Sequence, residues 1–283
     1  MANLFSGLEA FGLGDMKDLD VYNSDEKSSK ENTGGKADTA AKTKIEETDF
    51  IFDKTYTCPV CDKEFKSKTI KTGKIKLISA DTDLRPKYQH IDSLKYDAIV
   101  CPHCGYAALN RFFNYMTNAQ AKLIKEQISA SFKGVSTDSE VISYDEAISQ
   151  HKLALVNTIV KKSKLSERAY TCLKTAWLLR GKAEALPADT QDYNNEIKKL
   201  QKEEIEFISN AYEGFAGAFS KELFPMCGMD ENTMTYLMAD LARRIGKYDE
   251  SSRWISKVLI SRDANERIKS KARDLKELLK QKM

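Results

Sequence analysis

Two short turns carry the residue types best suited to chemistry. Cys58-Pro-Val-Cys61 is matched later in the chain by Cys101-Pro-His-Cys104. A C-x-x-C turn directs two thiolates at one ion, at about 2.3 Å from each sulfur, and a proline after the first cysteine fixes φ there. Because four thiolates fill a tetrahedral shell, the sequence predicts one structural Zn²⁺. Its predicted ligands are Cys58, Cys61, Cys101 and Cys104.

The residues around these turns fit the same interpretation. The residue after the second cysteine of a knuckle often needs a positive φ, which Gly105 adopts freely and Asp62 tolerates better than most side chains. His103 within the second turn and His90 before it are predicted to lie outside the ligand set, because four cysteines already complete it.

Two other uses of the cysteines remain open. A C-P-H-C turn is also the active turn of some strongly oxidising thioredoxin-like proteins, which need a βαβ context and a helix start to lower a thiol pKa. An iron–sulfur cluster or another metal is the second alternative. The duplicated turn favours zinc. Cys172 is predicted to be a buried small apolar residue, and Cys227 has no near partner in the sequence.

Two kinds of pattern predict the elements that hold the cysteines. Residues 49–106 show short apolar and polar alternations, and "KTIKTGKIKLISA" indicates a β-hairpin that turns at Gly73. From Ala107 onwards the pattern is helical. A helix is predicted directly after the second turn. Its apolar face would carry Leu109, Phe112, Phe113 and Met116.

The helical part has an indication of repetition. The stretches "SYDEAISQHKLAL" and "KYDESSRWISKVL" are alike, and Tyr144 and Tyr248 are separated by about three units of the roughly 34-residue tetratricopeptide period. The predicted fold class is therefore α+β and mostly α, with a small β-rich zinc-ribbon module at 49–106 and a tetratricopeptide-like helical-hairpin domain at 107–283. A bundle of helical hairpins without a true repeat is the alternative.

Residues 1–48 are predicted to be a mostly disordered tail and linker. The segment 23–48 is polar and cannot bury enough apolar surface to offset its ordering entropy. Upstream, four apolar side chains have helical spacing, which fits either a frayed terminus or a short helix that docks on this protein or on a partner. These side chains are Leu4, Phe5, Leu8 and Phe11.

The composition limits which cellular compartments and which classes of partner are expected. The formal net charge is only +3, although 31% of the residues are charged, so the whole chain lacks the basic excess of a typical nucleic-acid binder. No apolar run reaches the roughly 18 residues of a membrane span. The N-terminus lacks the features of a secretory signal, and six cysteines then indicate a reducing cytoplasm.

The chain resembles a bacterial family catalogued as domain of unknown function 2225. The resemblance rests on "YTCPVCDKEF" (56–65), "DTDLRPKYQHIDSLKYDAIVCPHCGYAA" (81–108) and the helical continuation, and it covers about residues 45–283. It implies a zinc-ribbon-like module fused to helices. The family has no established activity, so no catalytic residue is carried over to this sequence.

Three functions remain possible at this level. The favoured one is a non-enzymatic adaptor whose helical domain binds a protein partner. The first alternative is a ribbon that binds nucleic acid weakly or associates with the ribosome, through lysines expected to line one hairpin. These are Lys63, Lys66, Lys68, Lys71, Lys74 and Lys76. The second alternative is a thiol redox protein or an enzyme that uses Asp81, Asp83, Arg85 and Tyr88.

Overall fold

The computed structural model describes residues 4–16, 46–135 and 139–282 and has an α+β, mostly helical architecture. This confirms the predicted fold class. The strands are β1 (Ile51–Thr57), β2 (Glu64–Ile70), β3 (Leu77–Ala80), β4 (Pro86–Tyr88), β5 (Ala98–Val100) and β6 (Ala107–Leu109). The helices are α1 (Asn118–Ile124), α2 (Tyr144–Val160), α3 (Leu165–Ala185), α4 (Tyr193–Phe219), α5 (Glu231–Arg244), α6 (Tyr248–Ile260) and α7 (Glu266–Lys280).

The strands pair as three separate antiparallel hairpins. β1 pairs with β2 along its whole length, from Ile51 opposite Ile70 to Thr57 opposite Glu64. β5 pairs with β6, and β3 pairs with β4. The first and last hairpins each end in a six-residue tip, 58–63 and 101–106, so that one cysteine turn lies at the end of each.

The prediction of a helix directly after Cys104 is wrong. Ala107–Leu109 is strand β6, a 3₁₀ turn follows at Asn110–Phe112, and α1 begins only at Asn118. All three residues of β6 are buried, as are those of its partner β5. A strand buried on both faces lacks the polar alternation that marks a half-exposed strand, and its short apolar run resembles a helix segment.

The hairpin predicted around Gly73 is also wrong. Ile70 and Leu77 lie on strands of different sheets, because β2 has already paired with β1 across the first cysteine turn. The six lysines therefore do not line one hairpin. Lys66 and Lys68 lie on β2, whereas the other four lie in the turns and connections around it.

The helices pack in chain order, each against the next, from α2 to α7. Local signals fix their starts: Ser143 and Glu146 form a reciprocal capping box at α2, and Asn265 caps α7. The last helix buries Ile268, Ala272, Leu275 and Leu279 on one side, as expected of a terminal solvated helix. No described helix is both long and apolar enough to cross a membrane. The tetratricopeptide-like arrangement stays a prediction.

The first described segment docks on the body of the protein. Leu8–Phe11 forms a 3₁₀ turn, and Phe5, Leu8, Phe11 and Leu13 are at most 7% exposed. Of the alternatives for this stretch, docking on this protein is the one observed. Residues 17–45 lie outside the described residues, so for them the predicted tail and linker stays a prediction.

One apolar cluster joins the hairpins to the helices. It contains three of the four turn cysteines, and it continues through helices α2 to α5. Phe113 is fully buried where the two parts meet. Its ring contacts three aromatic rings of the hairpins at centroid distances of 5.0–6.0 Å, namely those of Tyr56, Phe65 and Tyr106. The cysteine turns and the helical stack therefore share a core.

Charged and polar side chains of residues 81–97 bind this strip to the helices. Lys174 on α3 pairs with Asp97 at 2.9 Å. The Tyr144 hydroxyl at the start of α2 donates to Asp92 at 3.1 Å. Nearer the hairpin β3–β4, Arg85 pairs with Glu184 of α3 at 2.7 Å. Residues 81–97 therefore form an interface within the chain, between the hairpins and the helices, which we call the seam.

Asp83 is the centre of this seam. Its carboxylate is fully buried, and both oxygens accept from Arg180 of α3, at 3.0 and 2.6 Å, while Arg244 of α5 lies 3.3 Å away. Burial raises the pKa of Asp83, but the hydrogen bonds and charges of these arginines outweigh it and hold the pKa below the ordinary 3.8. The carboxyl is therefore ionised at neutral pH.

Asp83→Asn should lower the free energy of unfolding by about 2–3 kcal/mol at pH 7, because it removes the fully buried carboxylate of the network and leaves Arg180 only Asp81 and Glu204 as charged partners. Asp53→Asn is the matched control. Its ion pair with Lys68 is 2.9 Å long but half exposed, and its loss should cost less than about 1 kcal/mol. Urea unfolding measures both. Equal losses would show that the buried network adds nothing beyond an exposed pair.

The same carboxyl gives a signed pH dependence. Since the pKa of Asp83 is lowered on folding, its stabilisation is complete above the ordinary value of 3.8 and is lost as the pH falls through the lower folded value. The difference in unfolding free energy between wild type and Asp83→Asn should thus be constant near neutrality and shrink only in acid. A difference that grows as the pH falls would contradict the sign.

Candidate metal centre

Each cysteine turn closes the tip of its hairpin in the same way. In the first, the N–H of Cys58 donates to the carbonyl of Lys63 at 3.0 Å. In the second, Cys101 donates to Tyr106 at 2.8 Å. These bonds continue the strand pairing up to the first cysteine of each turn. Ordinary β-hairpin geometry therefore fixes the positions of both cysteines in each turn.

The turns also share their backbone conformation. Asp62 donates its N–H to the carbonyl of Cys58 at 2.9 Å, and Gly105 does the same to Cys101 at 3.0 Å. Both have positive φ, 59° for Asp62 and 74° for Gly105. The predicted positive φ after each second cysteine is confirmed. In the first turn, the N–H of Val60 also points at the sulfur of Cys58, 3.4 Å away.

The four sulfur atoms converge on one point. Sγ of Cys58 lies 3.6 Å from that of Cys104, Sγ of Cys61 lies 3.7 Å from that of Cys101, and all four lie within 4.8 Å of one another. A tetrahedron with metal–sulfur bonds of about 2.3 Å has edges of about 3.8 Å. Cys61 is partly exposed and the other three are buried. The four cysteines are therefore positioned to bind a metal ion.

The thiol pKa values show how strongly the sulfurs interact. Hydrogen bonds from Cys104 and Cys58 hold the pKa of Cys101 well below its usual range. The hydrogen bond to Cys101 raises the pKa of Cys104, and Cys101 also raises that of Cys58 to about 12. Ionising all four at neutral pH would crowd four negative charges together, and a cation is what makes that state favourable.

The remaining candidate ligands lie elsewhere. His103 is exposed, and its Nε2 is 3.3 Å from the carbonyl oxygen of Glu64. His90 has its ring stacked at 6.1 Å from that of Phe50. Neither belongs to the cluster of four cysteines; that the histidines are not ligands stays a prediction. Cys172 is fully buried in α3, also as predicted.

The second turn is held against the helical part by contacts that sequence reasoning missed. Ser129 donates its hydroxyl to the carbonyl of Cys104 at 2.8 Å, and the side-chain amide of Asn157 on α2 donates to the carbonyl of Gly105 at 3.1 Å. A Cβ at position 105 would lie 2.6 Å from the ring of Phe132. The detectable signal was Asn157, a polar residue within the apolar run "LALVNTIV".

The residues named for the alternative functions take part in contacts that hold the fold together. Asp81, Asp83 and Arg85 come together, but they are engaged in the ion pairs of the seam. Tyr88 lies half-buried on β4. Cys104 is followed by strand β6, so the helix start that a redox turn needs is not at this position.

A cleft of about 430 Å³ lies between β2, the second cysteine turn and the start of α2. Lys66 and Lys68 line one side and Glu146 lies on another, so its wall is of mixed charge. Lys68 is already paired with Asp53 at 2.9 Å. Pro102 and His103 place this cleft beside the sulfur cluster.

Gly105→Ala should destabilise the protein by about 2–4 kcal/mol, because it combines a left-handed backbone with an overpacked contact on Phe132. Asp62→Ala is the matched control at the equivalent position of the first turn, where a side chain is already accommodated, and should cost less than about 1 kcal/mol. Thermal unfolding compares the two. An equal cost would show that packing against Phe132 is unimportant.

Comparison with known proteins identifies a family that covers most of the chain. A family model described as an uncharacterized protein conserved in bacteria matches residues 51–279, which include both cysteine turns and all seven described helices apart from the last residue of α7. No curated protein and no solved structure matches the chain. The chain belongs to the bacterial family catalogued as domain of unknown function 2225.

Proposed function

We propose that this protein is a non-enzymatic adaptor in which one Zn²⁺ joins the tips of two β-hairpins and fixes them to a helical domain that binds a protein partner. The observation that carries the proposal is the convergence of four cysteine sulfurs within 4.8 Å, at the junction of hairpins and helices. The ligands would be Cys58, Cys61, Cys101 and Cys104. The zinc would be structural, since four thiolates leave no open coordination position.

The donor set favours zinc over other divalent ions. Thiolates suit Zn²⁺ and iron–sulfur clusters, while carboxylate and carbonyl oxygens suit Mg²⁺ and Ca²⁺. The two sulfur distances of 3.6 and 3.7 Å approach the edge expected around a single ion. All six cysteines are outside disulfides, which supports a reducing compartment and hence a cytoplasmic location.

The surroundings support an interaction role over catalysis. Asp83 and Arg180 neutralise each other in the seam, as do Arg85 and Glu184 at 2.7 Å. Their charges are used to hold the hairpins on the helices. The stacked helices expose a large outer surface, which is how hairpin arrays usually bind other proteins.

Metal analysis of the purified chain tests the site. One zinc per chain is expected. Cys58→Ser and Cys101→Ser should each lose it, because each removes a ligand from one turn. Cys172→Ser is the matched control, since that cysteine is buried in α3 outside the cluster. Iron in place of zinc, or metal retained by Cys58→Ser, would contradict the assignment.

Affinity capture from a bacterium that carries this chain tests the adaptor role. Wild type should recover a specific protein, and nuclease treatment should not reduce the recovery. The same partner should be lost with Cys58→Ser but kept with Cys172→Ser, because only the first disturbs the metal site. Recovery that depends on nucleic acid would point to the second candidate.

Nucleic-acid binding is that second candidate, and the cleft beside the cysteine turn favours it. Lys66 and Lys68 line the cleft, and Phe52 on β1 is 42% exposed and could stack on a base. Binding would be weak, and the double variant Lys66→Gln/Lys68→Gln should flatten its salt dependence by about one unit of slope, because Lys68 already pairs with Asp53. Lys122→Gln, exposed on α1, is the control. Absence of binding at low salt removes this candidate.

A further inference from the structure

Residues 4–16 form a small unit that is organised by their own sequence. The N–H of Leu13 donates to the carbonyl of Leu8 at 3.1 Å and that of Gly12 to Glu9 at 3.0 Å, which is a Schellman ending with Gly12 at φ 82°. Four apolar side chains then project to one side and are buried. They are Phe5, Leu8, Phe11 and Leu13.

The unit lies in a groove built from α2 and the stretch 128–133. Lys133 donates its N–H to the carbonyl of Phe11 at 3.1 Å, so the contact includes the backbone. The rings of Phe11 and Phe132 stack with centroids 6.5 Å apart. On the other side, the ammonium of Lys152 on α2 donates to the carbonyl of Ser6 at 3.1 Å.

The segment is separate from the core in sequence. The family model begins at residue 51, and residues 17–45, which contain few large apolar groups, connect the segment to it. A short unit with its own turn, four apolar anchors and two backbone contacts has the properties of a bound peptide.

We propose that this groove is the partner-binding site of the protein and that residues 4–16 occupy it as an intramolecular competitor. The inference rests on the adaptor function proposed above and names the chemistry of its partner. The partner presents a short turn with Phe or Leu at the positions of Phe5, Leu8, Phe11 and Leu13. It also supplies a backbone carbonyl for Lys152.

Competition from residues 4–16 determines how tightly a partner must bind the groove in order to displace them. Because the segment belongs to the same chain, its effective concentration at the groove is on the order of 1 mM, so a free peptide of equal intrinsic affinity would be displaced at ordinary concentrations. A partner must bind better or act when the segment has left the groove. Weakening the docked segment should therefore raise the apparent affinity of any peptide for the groove.

Two glycines of the segment provide a matched pair of variants in the full-length chain. A Cβ at Gly12 would lie 2.2 Å from the backbone carbonyl oxygen of Ser131, whereas a Cβ at Gly7 would meet no atom within 4 Å. Both residues have positive φ, 82° and 93°, so alanine strains the segment at either position. Only Gly12→Ala also obstructs docking.

The probe is a fluorescently labelled peptide with the sequence of residues 2–16, titrated by anisotropy. It should bind Gly12→Ala at least ten-fold more tightly than Gly7→Ala or wild type. A peptide with Ala10→Lys, which changes an exposed position and keeps the apolar anchors, should bind equally well. A peptide with Leu8→Asp/Phe11→Asp should not bind.

Several results would overturn the proposal. One is equal probe binding to Gly7→Ala and Gly12→Ala, and another is no binding to either. If Gly12→Ala alone loses its metal or its helical circular dichroism, the segment is a structural part of the core and not a ligand. A wild-type dimer with grooves closed to the probe would identify a second copy as the occupant, which also rejects the intramolecular arrangement.

Affinity capture separates this inference from the adaptor function. If Gly12→Ala recovers at least several-fold more of the partner than Gly7→Ala, the result supports both the groove and the adaptor function. Equal recovery by the two variants would reject the groove and leave the adaptor function. Probe binding to Gly12→Ala without any captured protein would support the groove as a peptide site and reject the adaptor function.

Discussion

Four cysteine sulfurs lie within 4.8 Å of one another, and this convergence is the constraint that the hairpins share. As thiolates they would need a cation to offset their charge. The two turns lie on β-hairpins that are distant in sequence, and each hairpin is too short to bury a core of its own. Binding of a structural zinc to such sites contributes about 10–16 kcal/mol, which exceeds what strands of this length can contribute. The β1–β2 and β5–β6 hairpins therefore meet at the sulfur cluster, and the aromatic rings around Phe113 fill the space behind it.

The cluster also determines how the helices attach. Carbonyl groups of the second turn, at Cys104 and Gly105, accept from Ser129 and Asn157, which belong to the helical part. At the other end of the seam, Asp83 engages α3 and α5. Two well-separated attachments fix both the position and the angle of the hairpins. The apolar core is continuous between them. Opening of the cysteine turns should therefore also destabilise helices α2 and α3.

The sequence predicts the site better than the elements around it. The convergence of the cysteines and the positive φ of Asp62 and Gly105 follow from the two C-P-x-C turns, whose rules act within a few residues, so spacing alone predicts them. The sequence of strand β6 predicts a helix because both faces of the strand are buried, which removes the alternation that periodicity detects. The pairing of β2 with β1 rather than β3 depends on closure across the cysteine turn, a contact that no local pattern encodes. The buried arginine pairs of the seam are long-range and equally invisible to periodicity.

The stretch 128–133 connects the metal centre to the groove occupied by residues 4–16. Ser129 holds the carbonyl of Cys104, and Phe132 packs on Gly105. The neighbouring carbonyl of Ser131 faces Gly12, and Phe132 also stacks on Phe11. A single short stretch therefore has the second cysteine turn on one side and the docked segment on the other. Because closely packed side chains transmit displacements instead of absorbing them, the shape of the groove depends on the turn being closed. Four cysteines that are positioned to bind a metal ion are thus linked to the groove through one short stretch of chain, without lying in the groove.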